Sequence, residues 1–117
     1  MVGIKTNLVD TVWRINRPDR PKQPIIPLEM KFTGKSWEDK VEEIQKQMIE
    51  KPADILILSA LDNIAWLLNL RGSDIQFNPV FFSYVAITLD KVYLFVDKSK
   101  VKIRKHFVKT KLLNEIK

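Results

Sequence analysis

Arg71, Asp74 and Asn78 fall within eight positions and are the polar side chains best placed to do chemistry. They occupy a loop between a short apolar helix and the start of a long apolar strand. Polar groups on a loop held between rigid elements commonly form a site. A guanidinium there can bind a carboxylate or peptide carbonyl, or cap the carbonyls of the preceding helix. Asp74 can pair with Arg71 or hydrogen-bond the loop backbone. Asn78 precedes Pro79, is therefore held extended, and sets the approach to the strand. On these residues alone, a loop-fixing pair and a helix stop outweigh a binding role.

The other reactive residues are isolated. His106 is the only histidine and sits in the basic run IRKHFVKTK. A metal site needs several convergent ligands. There is no cysteine, so no thiolate nucleophile and no disulfide. Ser59, Ser73 and Ser83 have no base near them in sequence, and no G-x-S-x-G turn or phosphate-cradling glycine loop occurs. The expectation is a segment that shapes a site and performs no chemistry itself.

The formal net charge of +6 is uneven. Residues 1–96 balance, and residues 97–117 hold eight Lys and Arg against Asp97 and Glu115. One alternative function follows: a stand-alone binding module using a basic C-terminal helix on nucleic acid or an acidic partner. No aromatic residues interleave with these lysines as a stacking platform would require. A solvated helix face is the simpler reading, and nucleic acid is not the expected partner.

The elements that position these residues are legible from pattern. With 117 residues, 45% hydrophobic and 29% charged, the chain is sized for one domain with a real core. No apolar run approaches the roughly 18 residues of a membrane span, so no membrane is expected and a cytoplasmic location is the default. Pro18, Pro21, Pro24 and Pro27 make residues 1–35 an extended connector from a preceding domain, with a short helix before it anchored by Trp13. Residues 36–117 form the domain proper. Ser36 caps a helix to Lys51, with Trp37, Val41, Ile44 and Met48 as its apolar stripe. Ile55 to Leu58 has no polar alternation and reads as a strand buried on both faces. Asp62 is the expected N-cap of a second helix, and Gly72 its C-terminal stop. Val80 to Leu89 and Val92 to Val96 read as an antiparallel hairpin, followed by a last helix from Lys100 to about Ile116. The order implies an α/β fold with a mixed sheet flanked by helices, with further strands expected beyond Lys117.

Three blocks then carry a family resemblance: NLVDTVWRINRPDRP, FTGKSWEDKVEEI and SALDNIAWLLNLRGSDIQFNPVFFSY. Together, from Asn7 to Val96, they resemble the cytosolic three-domain Xaa-Pro aminopeptidases (aminopeptidase P). The resemblance implies two creatinase/prolidase N-terminal-like domains followed by a catalytic domain binding two divalent metals, usually manganese. It places these residues as the second, middle domain, with no cofactor of its own and every metal ligand in the catalytic domain. It also implies non-catalytic restriction of a cleft used by short proline-containing peptides. The partners would be the flanking N- and C-terminal domains, with a homodimer as a further arrangement. Arg71, then Asp74 and Asn78, would face the cleft or substrate.

Overall fold

The structure, a computed structural model, describes residues 7–13 and 15–101. In chain order the elements are α1 (Leu8–Val12), β1 (Ile26–Pro27), α2 (Met30–Thr33), α3 (Trp37–Glu50), β2 (Ile55–Leu58), α4 (Leu61–Leu67), β3 (Leu70–Arg71), β4 (Ser83–Thr88) and β5 (Val92–Val96). A single 3₁₀ turn, Lys98–Lys100, follows β5. The expected helix from Lys100 to Ile116, with His106 and most of the basic run, lies outside the described residues.

The longest helix follows its sequence signals closely. The Ser36 hydroxyl accepts the Asp39 N–H at 3.0 Å, and Glu38 and Asp39 occupy the positive end of the helix dipole. Trp37, Val41 and Met48 are buried, and Ile44 packs against the same core. The hairpin also forms, although its first strand begins at Ser83 and not at Val80. Ser83 pairs with Val96, Val85 with Leu94 and Ile87 with Val92. The Thr88 N–H donates to the Lys91 carbonyl at 2.9 Å, closing a two-residue turn at Leu89 and Asp90.

Several expectations are corrected. The sheet is three-stranded in the order β2-β4-β5 among the described residues, and every pairing is antiparallel, not mixed. Strand β2 lies at an edge and alternates between exposed and half-buried residues. Among the described residues, helices cover one face, where Val85, Ile87, Val92, Leu94 and Val96 share a core with Ile64, Leu67 and Trp37. An unbroken apolar run could not reveal that one face is more open, because Ile55 and Ile57 are as apolar as the half-buried Leu56 and Leu58. Residues 17–25 form no helix, in keeping with their prolines, while α1 and α2 lie on either side; Ile25 enters the core and β1 pairs with β3. Trp13, expected to anchor α1, is half exposed.

Helix α4 begins differently as well. Its N-cap is Ala60, with no side-chain cap, and Asp62 sits inside the first turn. Its stop is Asn69, at φ 54°, while Gly72 lies three residues further on. Asparagine tolerates the left-handed region better than most residues, which lets it end the helix and still contribute a side chain.

Candidate functional site

Two groups of polar side chains surround the loop from Gly72 to Val80. The first closes the C-terminal end of α4. The Arg71 guanidinium donates to the carbonyls of Ala65 at 2.9 Å and Leu70 at 2.8 Å. Lys40, buried on α3, donates from Nζ to the Trp66 carbonyl at 2.8 Å and to Asn69 Oδ1 at 2.7 Å. Its ammonium also lies 4.3 Å from the centroid of the Trp66 ring. Asn69 Nδ2 in turn donates to the Lys35 carbonyl at 2.9 Å, tying α4 back to the start of α3. Two cations thus bond carbonyls at the helix end and just beyond it, where the negative end of the dipole lies.

Lys40 faces carbonyls and an aromatic ring without a carboxylate. Burial holds its pKa below the ordinary 10.5, and repulsion from Arg71 and Lys35 lowers it further. The folded state therefore releases this proton at lower pH than the unfolded chain does. Below the depressed folded-state value both states are protonated, and the penalty is fully present. Between that value and 10.5 the unfolded state holds more protons, so stability rises with pH. Unfolding of wild type and Lys40→Met in urea from pH 7.5 to 10.5 should show the wild type gaining on the variant as pH rises. Parallel pH dependences would contradict this.

The second group fixes the loop itself. The Gly72 N–H donates to the Pro79 carbonyl at 3.2 Å, and the Asp74 N–H to the Val80 carbonyl at 3.1 Å. Asp74 Oδ2 accepts the Phe82 N–H at 2.7 Å and a hydrogen bond from Lys100 Nζ. Both side chains of that ion pair are buried. Asp74 Oδ1 is buried with no partner among the described residues. A β-carbon on Gly72 would stand 2.7 Å from Phe81 Cβ, so glycine is required there for close approach of the two arms of the stem.

The stem carries a tight turn. The Asn78 N–H donates to the Ile75 carbonyl at 3.2 Å, with Gln76 and Phe77 as the central residues. Phe77 adopts φ 63° and is 97% exposed. A left-handed φ at the second central position ordinarily selects glycine or asparagine. Phenylalanine there costs about 1–2 kcal/mol. An aromatic ring held in solvent at that cost, on a stem with a buried ion pair beneath it, is the feature that sequence reasoning missed. The signal was present: between Asp74 and the Asn78-Pro79 pair stand Ile75, Gln76 and Phe77, none of them a turn former.

The three expected residues do not converge. Asp74 is brought to Lys100, not to Arg71, and its side chain is buried. Arg71 is half-buried, with one guanidinium nitrogen turned onto α4. Asn78 is exposed at the turn, acting through its backbone. Lys100, counted among the solvated basic residues, is buried. Among the described residues, no three His, Cys, Asp or Glu side chains come together. The buried carboxylate, Asp74, is committed to Lys100 and a backbone N–H. The described residues therefore do not fit a two-metal centre, and no chemical step is assigned to them. No described helix is long and apolar enough to cross a membrane.

Among the described residues, a helix-backed antiparallel sheet carries a loop anchored by the buried pair of Asp74 and Lys100. A family model described as the creatinase/prolidase N-terminal domain matches residues 16–117, and the chain belongs to that family. The relatives narrow the class. A probable Xaa-Pro aminopeptidase P of Verticillium alfalfae is 50% identical over 101 residues, 86% of this chain and 16% of that protein. Its counterpart in Laccaria bicolor is 46% identical over the same shares. The crystal structure of an X-prolyl aminopeptidase from Caenorhabditis elegans, described as a cytosolic enzyme with a di-nuclear active site, superimposes with a TM-score of 0.85. That protein is 35% identical, and the match covers 95% of this chain and 18% of the other. The chain thus spans about a sixth of the length of the relatives it matches.

Proposed function

We propose that these residues are a non-catalytic domain of a cytosolic Xaa-Pro aminopeptidase, the middle one of three, which removes the N-terminal residue from peptides with proline second. The observation that carries this reading is the likeness to an X-prolyl aminopeptidase over 95% of the chain. Two divalent cations, manganese in this reading, belong to a separate catalytic domain. The part played here is to narrow access to the cleft. The loop from Asp74 to Asn78 stands at its rim, with Phe77 as the residue that reaches furthest toward it. Arg71 and Asp74 act from behind, by fixing the stem and the helix end on which it rests.

A direct test uses the purified 117-residue chain with manganese and an Arg-Pro-Pro peptide. No release of arginine is expected, while the full-length enzyme containing this segment releases it. Hydrolysis by the chain alone would overturn the assignment.

A further inference from the structure

Three separated stretches of chain meet at Lys100. Its inward direction follows from the 3₁₀ turn after β5. Asp97 caps that turn: its Oδ1 accepts the Ser99 N–H at 2.9 Å, and its carbonyl accepts the Lys100 N–H at 3.0 Å. The turn leaves Lys98 and Ser99 exposed and buries Lys100, which is 3% exposed. A lysine is almost never buried so far unless its charge is paired. Here Nζ donates to Asp74 Oδ2 in the stem and lies 5.8 Å from the centroid of the Phe82 ring.

The main chain of the same residue makes a second tie. The Lys100 carbonyl accepts the Ile25 N–H at 3.0 Å. Ile25 is buried and immediately precedes β1, so this bond holds the proline-bearing segment against the core. The third tie runs through the carboxylate, since Asp74 Oδ2 also accepts the Phe82 N–H at 2.7 Å from the other arm of the stem. The turn that carries Phe77 lies between Asp74 and Phe82, so its direction depends on where those two residues are held.

We infer that Lys100 is a positioning residue: through Asp74 it holds the Phe77 turn in register with Ile25 and with the turn after β5, so that the three stretches open and close as one unit. The inference rests on the reading that Phe77 reaches a peptidase cleft, and extends it by naming what aims that ring. A buried ammonium that loses its carboxylate must regain water or leave a charge stranded. Solvating Nζ requires the turn after β5 to swing outward. That movement carries the Lys100 carbonyl away from the Ile25 N–H, and it frees Asp74 and the stem at the same time. Loop, turn and proline-bearing segment therefore share one opening.

The test has two arms. In the isolated 117-residue chain, amide exchange of wild type in increasing urea should give Ile25, Phe82 and Lys100 one opening free energy and one urea slope, both below those of the β4–β5 ladder. Lys100→Met leaves the main-chain carbonyl in place, yet exchange at Ile25 and Phe82 should accelerate together by about tenfold or more, the factor that one charged hydrogen bond corresponds to. Acceleration at Phe82 with Ile25 unchanged would overturn the inference, and so would separate slopes in wild type. In the full-length enzyme, Lys100→Met should lower kcat/KM for a short Xaa-Pro peptide about tenfold, as Phe77→Gly does, and mainly through KM. The double variant should fall no further, because one residue acts through the other. Additive falls would give Lys100 a role apart from Phe77 and overturn its assignment. Met48→Ala, a buried change on α3 of comparable cost to stability, should leave kcat/KM of the folded enzyme unchanged. An equal fall there would reduce the effect of Lys100 to lost stability. Silence of Phe77→Gly would count against the peptidase reading, and exchange in the isolated chain then decides by itself whether the three stretches move together.

Discussion

Asp74→Ala should be the most damaging single change among the loop residues, at about 3–5 kcal/mol. The carboxylate is the only one bonded to the buried Lys100 ammonium among the described residues, and it also accepts the Phe82 N–H. Removing it strands one buried charge and one backbone donor together. For a domain of this size the loss corresponds to a melting temperature lower by on the order of 15 °C. Lys100→Met alone should be costly for the mirror reason, leaving the carboxylate with its Oδ1 already unpartnered. The double variant Asp74→Ala with Lys100→Met should recover most of the loss, because neither charge is then buried. Urea unfolding of the four proteins as a double-mutant cycle measures this. Additive single and double effects would show that the pair is not coupled.

Gly72→Ala should follow, at about 3 kcal/mol, near the upper end of overpacking costs. A methyl group at 2.7 Å from Phe81 Cβ and 3.1 Å from the Val80 carbonyl oxygen requires one arm of the stem to move. Phe81 is fully buried in the core and cannot yield. The movement must instead fall on the hydrogen bonds from Gly72 to Pro79 and from Asp74 to Val80. The change therefore loosens the stem that presents Phe77, and amide exchange at Asp74 should accelerate along with the loss of stability. A variant with wild-type melting and exchange would show that the stem tolerates the methyl group.

Legibility in the sequence followed the range of the interaction. Helix α3 was readable because its cap, its stripe and its stop at Pro52 act within a few residues. The β4–β5 hairpin was readable because alternation and a short turn are likewise local. The buried pair of Asp74 and Lys100 spans 26 residues, and no local pattern distinguishes Lys100 from the lysines that follow it in the sequence. Asn69 displaced Gly72 as the helix stop because its side chain is needed by Lys40 and by the Lys35 carbonyl, partners on another helix. Gly72 was picked out correctly as special, but for the wrong cause: close packing with Phe81, not a left-handed φ. The open face of β2 was hidden because apolar composition records that a residue becomes buried, not which element buries it. The resemblance in the blocks around Ser36 and Arg71 identified the family where individual side chains identified only a loop.

The central claim is that the loop anchored by Asp74 reaches the rim of a peptidase cleft through Phe77. The measurement that tests it is kcat/KM of the full-length enzyme for a short Xaa-Pro peptide, wild type against Phe77→Gly, with melting temperatures recorded alongside. Glycine relieves the left-handed strain, so the variant should melt at the same temperature or higher. The account predicts a fall in kcat/KM of about tenfold, equivalent to one lost apolar contact of roughly 1.4 kcal/mol. Unchanged kinetics in a variant of equal or greater stability would contradict it.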